Sequence, residues 1–544
     1  MKWVEKTFAE ALAWGASTHG AREALVHGST RLTFAQLAAR ADAFAAGLLA
    51  RGVRPGDKVG VWLPDCVEWI VARWAITSIG AVLVPINTRF RDADLGYVLK
   101  QSDCRALILT ARWKSVAYLS ILESVLPEYA GQKPGGWAAG SLPELRLVIG
   151  VGEGFPDAIL AFADIEEEGR RWSRAGEMLA EARSKLRPDD IAQILYTSGT
   201  TSFPKGAMVR HGALLQNNFN TIARMNLTTA DRYLATSPLF SATGTSFTLS
   251  PFLAGGCQVL TDGFSAEAFC RLVEAERISM SFFVEPMVHD LRGFAGLPGF
   301  DMRSLRTGTG APLTRASFTW LVEELGCREL TNVYGLSETS NAVCRSFGTD
   351  PLEQRMESSG RPMPGVTLRI DDIDTGETLP AGKVGEIRVK GYTVTAGYYK
   401  MPEETAKAID GDGWLHTGDL GELTPDGRLI FRGRIKEMIK PGGFNVATLE
   451  IEEFIKSFPG IKEAVVVGVP DPRQGEVGYA FVESMTGARP AADELIAYCR
   501  AHIASYKVPA YVEFVTEWPI TPTGKLRKLE LKDRAGERTR TGTG

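Results

Sequence analysis

Apolar residues fall along the chain in short runs separated by stretches of helical spacing. Positions 59–63 form one such run, 66–79 show helical spacing, and 81–86 are apolar again. Further short buried runs are predicted at 105–110 and 145–151. Strand, helix and strand in alternation predict a parallel sheet covered by helices. The stretch 112–140 reads as irregular, and 166–186, charged and alanine-rich, as an exposed helix. A second α/β stretch is predicted from 189 to 345. Between 360 and 399 the pattern shifts to short strands, such as 367–370 and 384–389, with Asp/Gly turns between them. That predicts a more antiparallel, barrel-like region. After Gly433 helices are predicted at 449–457 and 492–502, and strands at 464–469, 478–484 and 512–515. These make a small α+β domain. The polar tail after Lys532 reads as frayed.

Length and composition sharpen this picture. The chain has 544 residues, which at about 150 per domain suggests three or four folding units. The apolar fraction is 44% and the charged fraction 23%, ordinary for a globular protein. With 61 basic and 65 acidic residues the net charge is −4, and no electrostatic footprint for nucleic acid exists. Seven cysteines lie scattered with no CxxC, which predicts free thiols in a reducing, cytoplasmic compartment. The six histidines form no HExxH or Cys/His cluster of the kind zinc uses. The N-terminal MKWVEKTFAEALAWGAS lacks the long apolar core of a signal peptide. The longest apolar stretch, 69–87, contains Arg73, a glycine and a proline, so it reads as a buried helix and strand. No integral membrane segment is expected.

The most informative string is YTSGTTSFPKG at 196–206. It follows the apolar Ile191, Ile194 and Leu195, which read as a strand. Thr197, Ser198, Thr200, Thr201 and Ser202 carry hydroxyls, Gly199 and Gly206 are small, and Lys205 is a cation. Small residues let backbone N–H groups approach an anion, hydroxyls add donors, and the lysine supplies charge for a polyphosphate. The spacing does not fit a Walker A loop. The string resembles the signature of the adenylate-forming superfamily: acyl- and aryl-CoA synthetases, carrier-protein adenylation domains and luciferases. Ser202 replaces the usual glycine there.

Other motifs follow in the order of that superfamily. YGLSE at 334–338 resembles its YGxTE. The resemblance implies that Tyr334 stacks on adenine, Ser337 contacts phosphate and Glu338 helps hold Mg²⁺. It also assigns Gly310, Ala311, Pro312, Asn332 and Gly335 to the nucleotide site. Thr417-Gly-Asp-Leu420 resembles TGD, so Asp419 would accept hydrogen bonds from the ribose hydroxyls. FRGRIK at 431–436 implies that Arg434 reaches the ribose and that Lys436 marks a hinge. PITPTGK at 519–525 implies that Lys525 bridges the carboxylate and the α-phosphate. Gly385-Glu-Ile and Gly397-Tyr-Tyr match a segment read as structural. The implied fold is a large α/β N-terminal domain, two Rossmann-like βα subdomains plus a distorted β-barrel, with a smaller mobile α+β domain. The implied division is 1–433, a hinge at 434–436, a lid domain at 437–532 and a flexible tail at 533–544.

An amino-acid-activating branch would need a buried Asp to pair with the substrate ammonium. The acid-pocket segments 240–244, 282–287, 308–311 and 341–344 offer none; Glu285 is the one acidic residue there. A plain carboxylic acid is therefore expected. Phe240, Ser241, Gly308, Thr309 and Phe283 are the pocket candidates, with Phe247, Phe282 and Met287 as further apolar ones. Ser241, Thr309 and Thr448 depart from residues common in acyl- and aryl-CoA synthetases, the first two within the acid pocket. The loop KPGGFNV at 440–446 resembles the one lining the pantetheine tunnel of CoA ligases, through Gly442 and Gly443. The expected activity is an ATP-dependent, AMP-forming acyl-CoA synthetase acting on a fatty, alicyclic or aryl acid, with ATP, Mg²⁺ and coenzyme A. A stand-alone enzyme loading a carrier protein is the first alternative, and a catalytically inactive nucleotide-binding protein the second. Lys525, Lys205 and Glu338 are the expected catalytic residues. A homodimer is the default assembly for an enzyme of this size.

Overall fold

The computed structural model describes residues 5–138, 140–197, 204–310, 313–441, 446–485, 487–488, 490–520 and 526–541. Two compact units divide the chain: Met1–Thr367 with Val389–Leu415, and Leu368–Arg388 with His416–Gly544.

The larger unit holds two sheets. The first runs Leu160–Ala161, Leu147–Val151, Cys104–Thr110, Lys58–Trp62, Val82–Pro85, Ile191–Thr197, Lys205–Arg210. Its neighbours pair parallel except the last two strands, which form an antiparallel hairpin. The helix between the first predicted pair of strands spans Val67–Ser78, and all but one of its residues are buried. That explains why 66–79 is apolar on every side. The second sheet has nine strands. Its centre, Arg232–Ala235, Met280–Phe283, Thr307–Gly310 and Glu329–Leu336, pairs parallel, and Asn341–Arg345 followed by the edge strand Arg361–Pro362 adds antiparallel pairs. Glu23–His27 and Thr30–Thr33 close its other side.

Two expectations change here. The stretch read as irregular carries a helix, Tyr118–Val125, whose Tyr118 and Leu122 are buried one turn apart. The stretch 166–186 is two helices, Phe162–Arg171 and Ala175–Lys185, broken where Trp172 turns extended. The first is no exposed helix. Gly169 and Gly47 let it approach helix Phe34–Ala50 so closely that a Cβ at Gly169 would lie 1.8 Å from the Ala43 carbonyl oxygen. Its Glu166 is buried against Arg40 at 3.0 Å.

In the smaller unit the barrel-like region takes the form of an open four-stranded sheet, in the order Val366–Asp371, Gly385–Gly391, Leu415–Leu423, Leu429–Arg434. A three-stranded sheet follows, Ile461–Asp471, Gly475–Ser484 and Tyr511–Phe514, with helices Thr448–Lys456 and Ala492–His502. The tail expected to fray is part of a helix, Lys528–Thr541. Leu531 and Ala535, one turn apart, are buried in a cluster with Val465, Val467 and Phe481. Two small apolar positions at that spacing suffice to dock an otherwise polar helix.

Candidate active site

In the larger unit, strands Ile191–Thr197 and Lys205–Arg210 pair antiparallel, with Thr197 opposite Lys205. The string singled out for phosphate binding therefore joins these two strands. The second strand is stitched to the segment after Thr393. Met208 N donates to the Gly397 carbonyl (2.9 Å), Tyr399 N to the Gly206 carbonyl (2.8 Å) and Ala396 N to the Met208 carbonyl (2.9 Å). The Gly397-Tyr-Tyr motif therefore does more than fill space. It delivers the Tyr398 ring beneath the Lys205 ammonium, 5.3 Å from Nζ to the ring centre.

Two further groups complete this cluster. Lys205 forms an ion pair with Glu404, and Lys407 reaches the same carboxylate at 2.7 Å. Hydrogen bonds from the two lysines hold the Glu404 carboxyl down to about 2. Tyr398 donates its hydroxyl to Glu338 Oε1 at 3.0 Å. Burial and the adjacent Glu338 carboxylate push this phenol well above its ordinary range, so it stays a donor at any working pH. Glu338 sits in a short 3-10 turn, Ser337–Thr339, pinned by Thr395 N on its carbonyl (2.7 Å). The next two residues, Ser340 and Asn341, hold φ of +52° and +92° without being glycine. Strain of this kind persists only where the surroundings over-determine the backbone, as functional loops do.

Tyr334 is buried on strand Glu329–Leu336 opposite Cys344. At Gly335 a Cβ would lie 1.6 Å from the Asn341 carbonyl oxygen, so the motif's glycine is dictated by the approach of the strained loop. Asn332 spends its amide on the Arg355 carbonyl (3.2 Å) and its own oxygen on Val333 N (2.8 Å).

The acid-pocket candidates divide between two faces of the sheet. On strand Thr307–Gly310 side chains alternate. Gly308 faces Phe283, whose nearest ring carbon would lie 2.9 Å from a Cβ there. Phe283 belongs to a core cluster with Phe269, Val288 and Leu291, so it is core. Thr309 faces the other way, toward Thr331 (3.1 Å) and the guanidinium of Arg345. Phe247 and Phe282 lie 6.0 Å apart, ring to ring. Ser241 caps helix Ala242–Phe247, accepting from Gly244 N at 2.9 Å, and Phe240 beside it is half-buried. Glu285, the one acidic exception, caps helix Arg315–Glu323 through Thr314 N (2.8 Å) and the Ser317 hydroxyl (2.5 Å).

In the smaller unit the TGD turn is built by its own hydrogen bonds. Gly418 holds φ +67°, Asp419 N donates to the Thr417 hydroxyl (3.1 Å), and that hydroxyl donates to the Ile387 carbonyl (2.7 Å). Asp419 and Arg434 are direct partners across the strand pair, Nε to Oδ1 3.3 Å. Arg434 is 44% exposed while Asp419 is 3% exposed. A pair open on one side contributes about 1 kcal/mol or less to stability. Lys436 follows in a 3-10 turn, Ile435–Glu437, its ammonium lowered by burial and by Arg434.

Ser198, Gly199, Thr200, Thr201, Ala311, Pro312, Gly442, Gly443 and Lys525 lie outside the described residues, as does the Thr197 side chain. Residues the motifs did not single out are Tyr398, Glu404 and Arg345. Only the first carried a signal, the Gly-Tyr-Tyr string.

Residues 12–399 match the family model for AMP-binding enzymes, and 450–525 match the C-terminal domain of AMP-binding enzymes. The chain belongs to this family, within the adenylate-forming superfamily, and is an enzyme of the acyl-CoA synthetase and ligase group. YngI of Bacillus subtilis (strain 168), whose name places it among the acyl-CoA synthetases, is 33% identical over 539 residues, 98% of each chain. The mitochondrial medium-chain acyl-CoA ligase ACSF2 of Macaca fascicularis is 32% identical over 541 residues, 98% of this chain and 87% of that one. The anthranilate CoA ligase AuaEII in complex with anthranoyl-AMP superposes with a TM-score of 0.83 at 26% identity, covering 98% of both chains.

Proposed function

We propose that the chain activates a carboxylic acid with ATP as an acyl-adenylate and passes the acyl group to coenzyme A. The observation that carries this reading is the Lys205–Tyr398–Glu338 cluster, in which a cation and a carboxylate are held on one phenol beside the phosphate-loop hairpin. The name of the ACSF2 relative favours an acid of medium chain length.

A carboxylate is a poor electrophile because its leaving group would be oxide. Its oxygen attacks the α-phosphorus of ATP, the bond to the bridging oxygen breaks, and pyrophosphate leaves. A CoA thiol then attacks the acyl carbon and AMP leaves. Lys205 positions the polyphosphate, and Lys525 meets the charge that develops on the α-phosphate. Asp419 and Arg434 hold the ribose, and Tyr334 stacks on the base. Glu338 supplies a hard anionic oxygen already oriented by Tyr398, a donor that suits Mg²⁺. When bound, the ion would neutralise phosphate charge. Residues 437–532 turn about Lys436 between the half-reactions, withdrawing Lys525 and bringing Gly442 and Gly443 to the thiol arm. All seven cysteines are free, which suits a reducing cytoplasm.

The test is mass spectrometry of products from Mg-ATP, CoA and a panel of short, medium, long, aryl and alicyclic acids. An acyl-CoA adduct supports the reading. Adenylate without thioester moves the acceptor to a carrier protein. Neither product, with ATP bound, overturns it.

A further inference from the structure

The acid-pocket segments contain no buried Asp to pair with an ammonium, but the residue directly after 341–344 is a buried cation. Arg345 ends strand Asn341–Arg345 with no exposed surface. Its Nη1 donates to the hydroxyls of Thr309 and Thr331, the latter at 3.0 Å, and lies 3.6 Å from the Met225 sulfur. Its plane stands 5.3 Å from the Phe247 ring. Its Nε has no hydrogen-bond partner among the described residues.

Among the other buried arginines only Arg73 likewise has no carboxylate beside it, and its Nε and Nη2 also lack partners among the described residues. Arg73 donates to the Thr245 carbonyl at 2.9 Å and is flanked by Trp69 and Trp74. Arg355 donates to the carbonyls of Asp350, Arg328 and Leu330. Arg224 donates to the Pro362 carbonyl at 2.8 Å. Arg388 pairs with Asp371 at 3.1 Å. Each is held by a carbonyl or carboxylate. Arg345 rests on hydroxyls, a thioether and a ring, and the nearest charge acting on it is another cation, Arg224. Burial lowers its guanidinium only to about 9, so it remains charged at neutral pH. Among the described residues no carboxylate pairs with it, and the residues outside them include no Asp or Glu. A buried charge without a counter-charge is costly unless a ligand supplies one.

Its position says which ligand. Thr309 belongs to the candidate acid segment 308–311, Phe247 ends the helix that starts at Ser241, and Arg345 adjoins 341–344. We propose that Arg345 is a specificity-determining residue that receives a second oxygen acceptor, best an anionic one, on the acid being activated. This rests on the acid-activating reading above. A plain alkyl chain would leave the guanidinium unpaired, whereas an ω-carboxylate or ω-hydroxyl would pair with it.

The experiment measures kcat/KM for CoA thioester formation by the full-length enzyme with Mg-ATP. The acids are octanoic and decanoic acid and their ω-hydroxy and ω-carboxy counterparts. The wild type should favour an oxygenated series by at least about tenfold, because a site that hydrogen-bonds a substrate group rejects the analogue lacking it. Arg345→Met, similar in volume, should erase that preference through KM while plain acids are still converted. Equal or better use of plain acids by the wild type overturns the proposal, as does a preference that survives in Arg345→Met. Should the variant fail to fold, the wild-type ratio alone decides. Absence of both adenylate and thioester with every acid would instead overturn the acid-activating reading.

Discussion

The two regions assigned to the nucleotide are built in opposite ways. Asp419 and Arg434 face each other across one hairpin, and the TGD turn is closed by bonds from neighbours in its own sheet. The Lys205 cluster joins positions 205, 338, 398 and 404 from separate parts of the chain. Its geometry exists only once the larger unit has folded. The hairpin pair is pre-set by a strand ladder that holds regardless of distant packing. Changes near Asp419 should therefore act on one contact, while changes near Glu338 should propagate to every group that shares Tyr398.

The strongest break of that contrast comes from Lys525. Lys525→Ala should lose about a thousandfold in adenylate formation, the scale of a donor aimed at developing charge. Thioester formation from preformed acyl-adenylate should persist. Equal losses in both half-reactions, read by pyrophosphate release and by CoA adduct, would remove its assignment to the first step. Next comes Glu338→Gln, which keeps the shape and the bond from Tyr398 but not the charge. It should cost about a hundredfold in kcat/KM and raise the magnesium requirement. Asp419→Ala should raise KM for ATP by about tenfold, the worth of charged hydrogen bonds. The loss should vanish with 2′,3′-dideoxy-ATP, which has no ribose hydroxyl to hold; an unchanged loss would mark Asp419 as structural. The smallest effect is expected for Glu404→Gln. Releasing Lys205 from a partly exposed ion pair should lower KM for ATP by about threefold.

What could be read in advance follows the same division. The apolar run at 59–63, the helix after it and the C-terminal α+β pattern were legible because each element buries a face of its own. TGD and GRIK were legible as neighbours because fourteen residues or so are one hairpin. The break at Trp172 was not, because 166–186 is charged throughout and its burial comes from Gly47 and Arg40 far earlier in the chain. Helix Lys528–Thr541 was missed because two apolar positions carry its docking. Within the site, Glu338 was legible as a motif, but Tyr398 and Glu404 were not seen as its company. Gly308 and Thr309 were grouped in one pocket because 307–310 was not read as a strand, in which neighbours face opposite ways; that alternation places Phe283 in the core and Thr309 on Arg345. Glu285 looked like a pocket acid until its helix-capping bonds were visible.

The most direct test of the central claim is acid-dependent exchange of labelled pyrophosphate into ATP, with no CoA present. An adenylating site should show exchange that requires a carboxylic acid and that falls sharply in Glu338→Gln. Exchange that is absent with every acid, or that proceeds equally without one, would contradict the account.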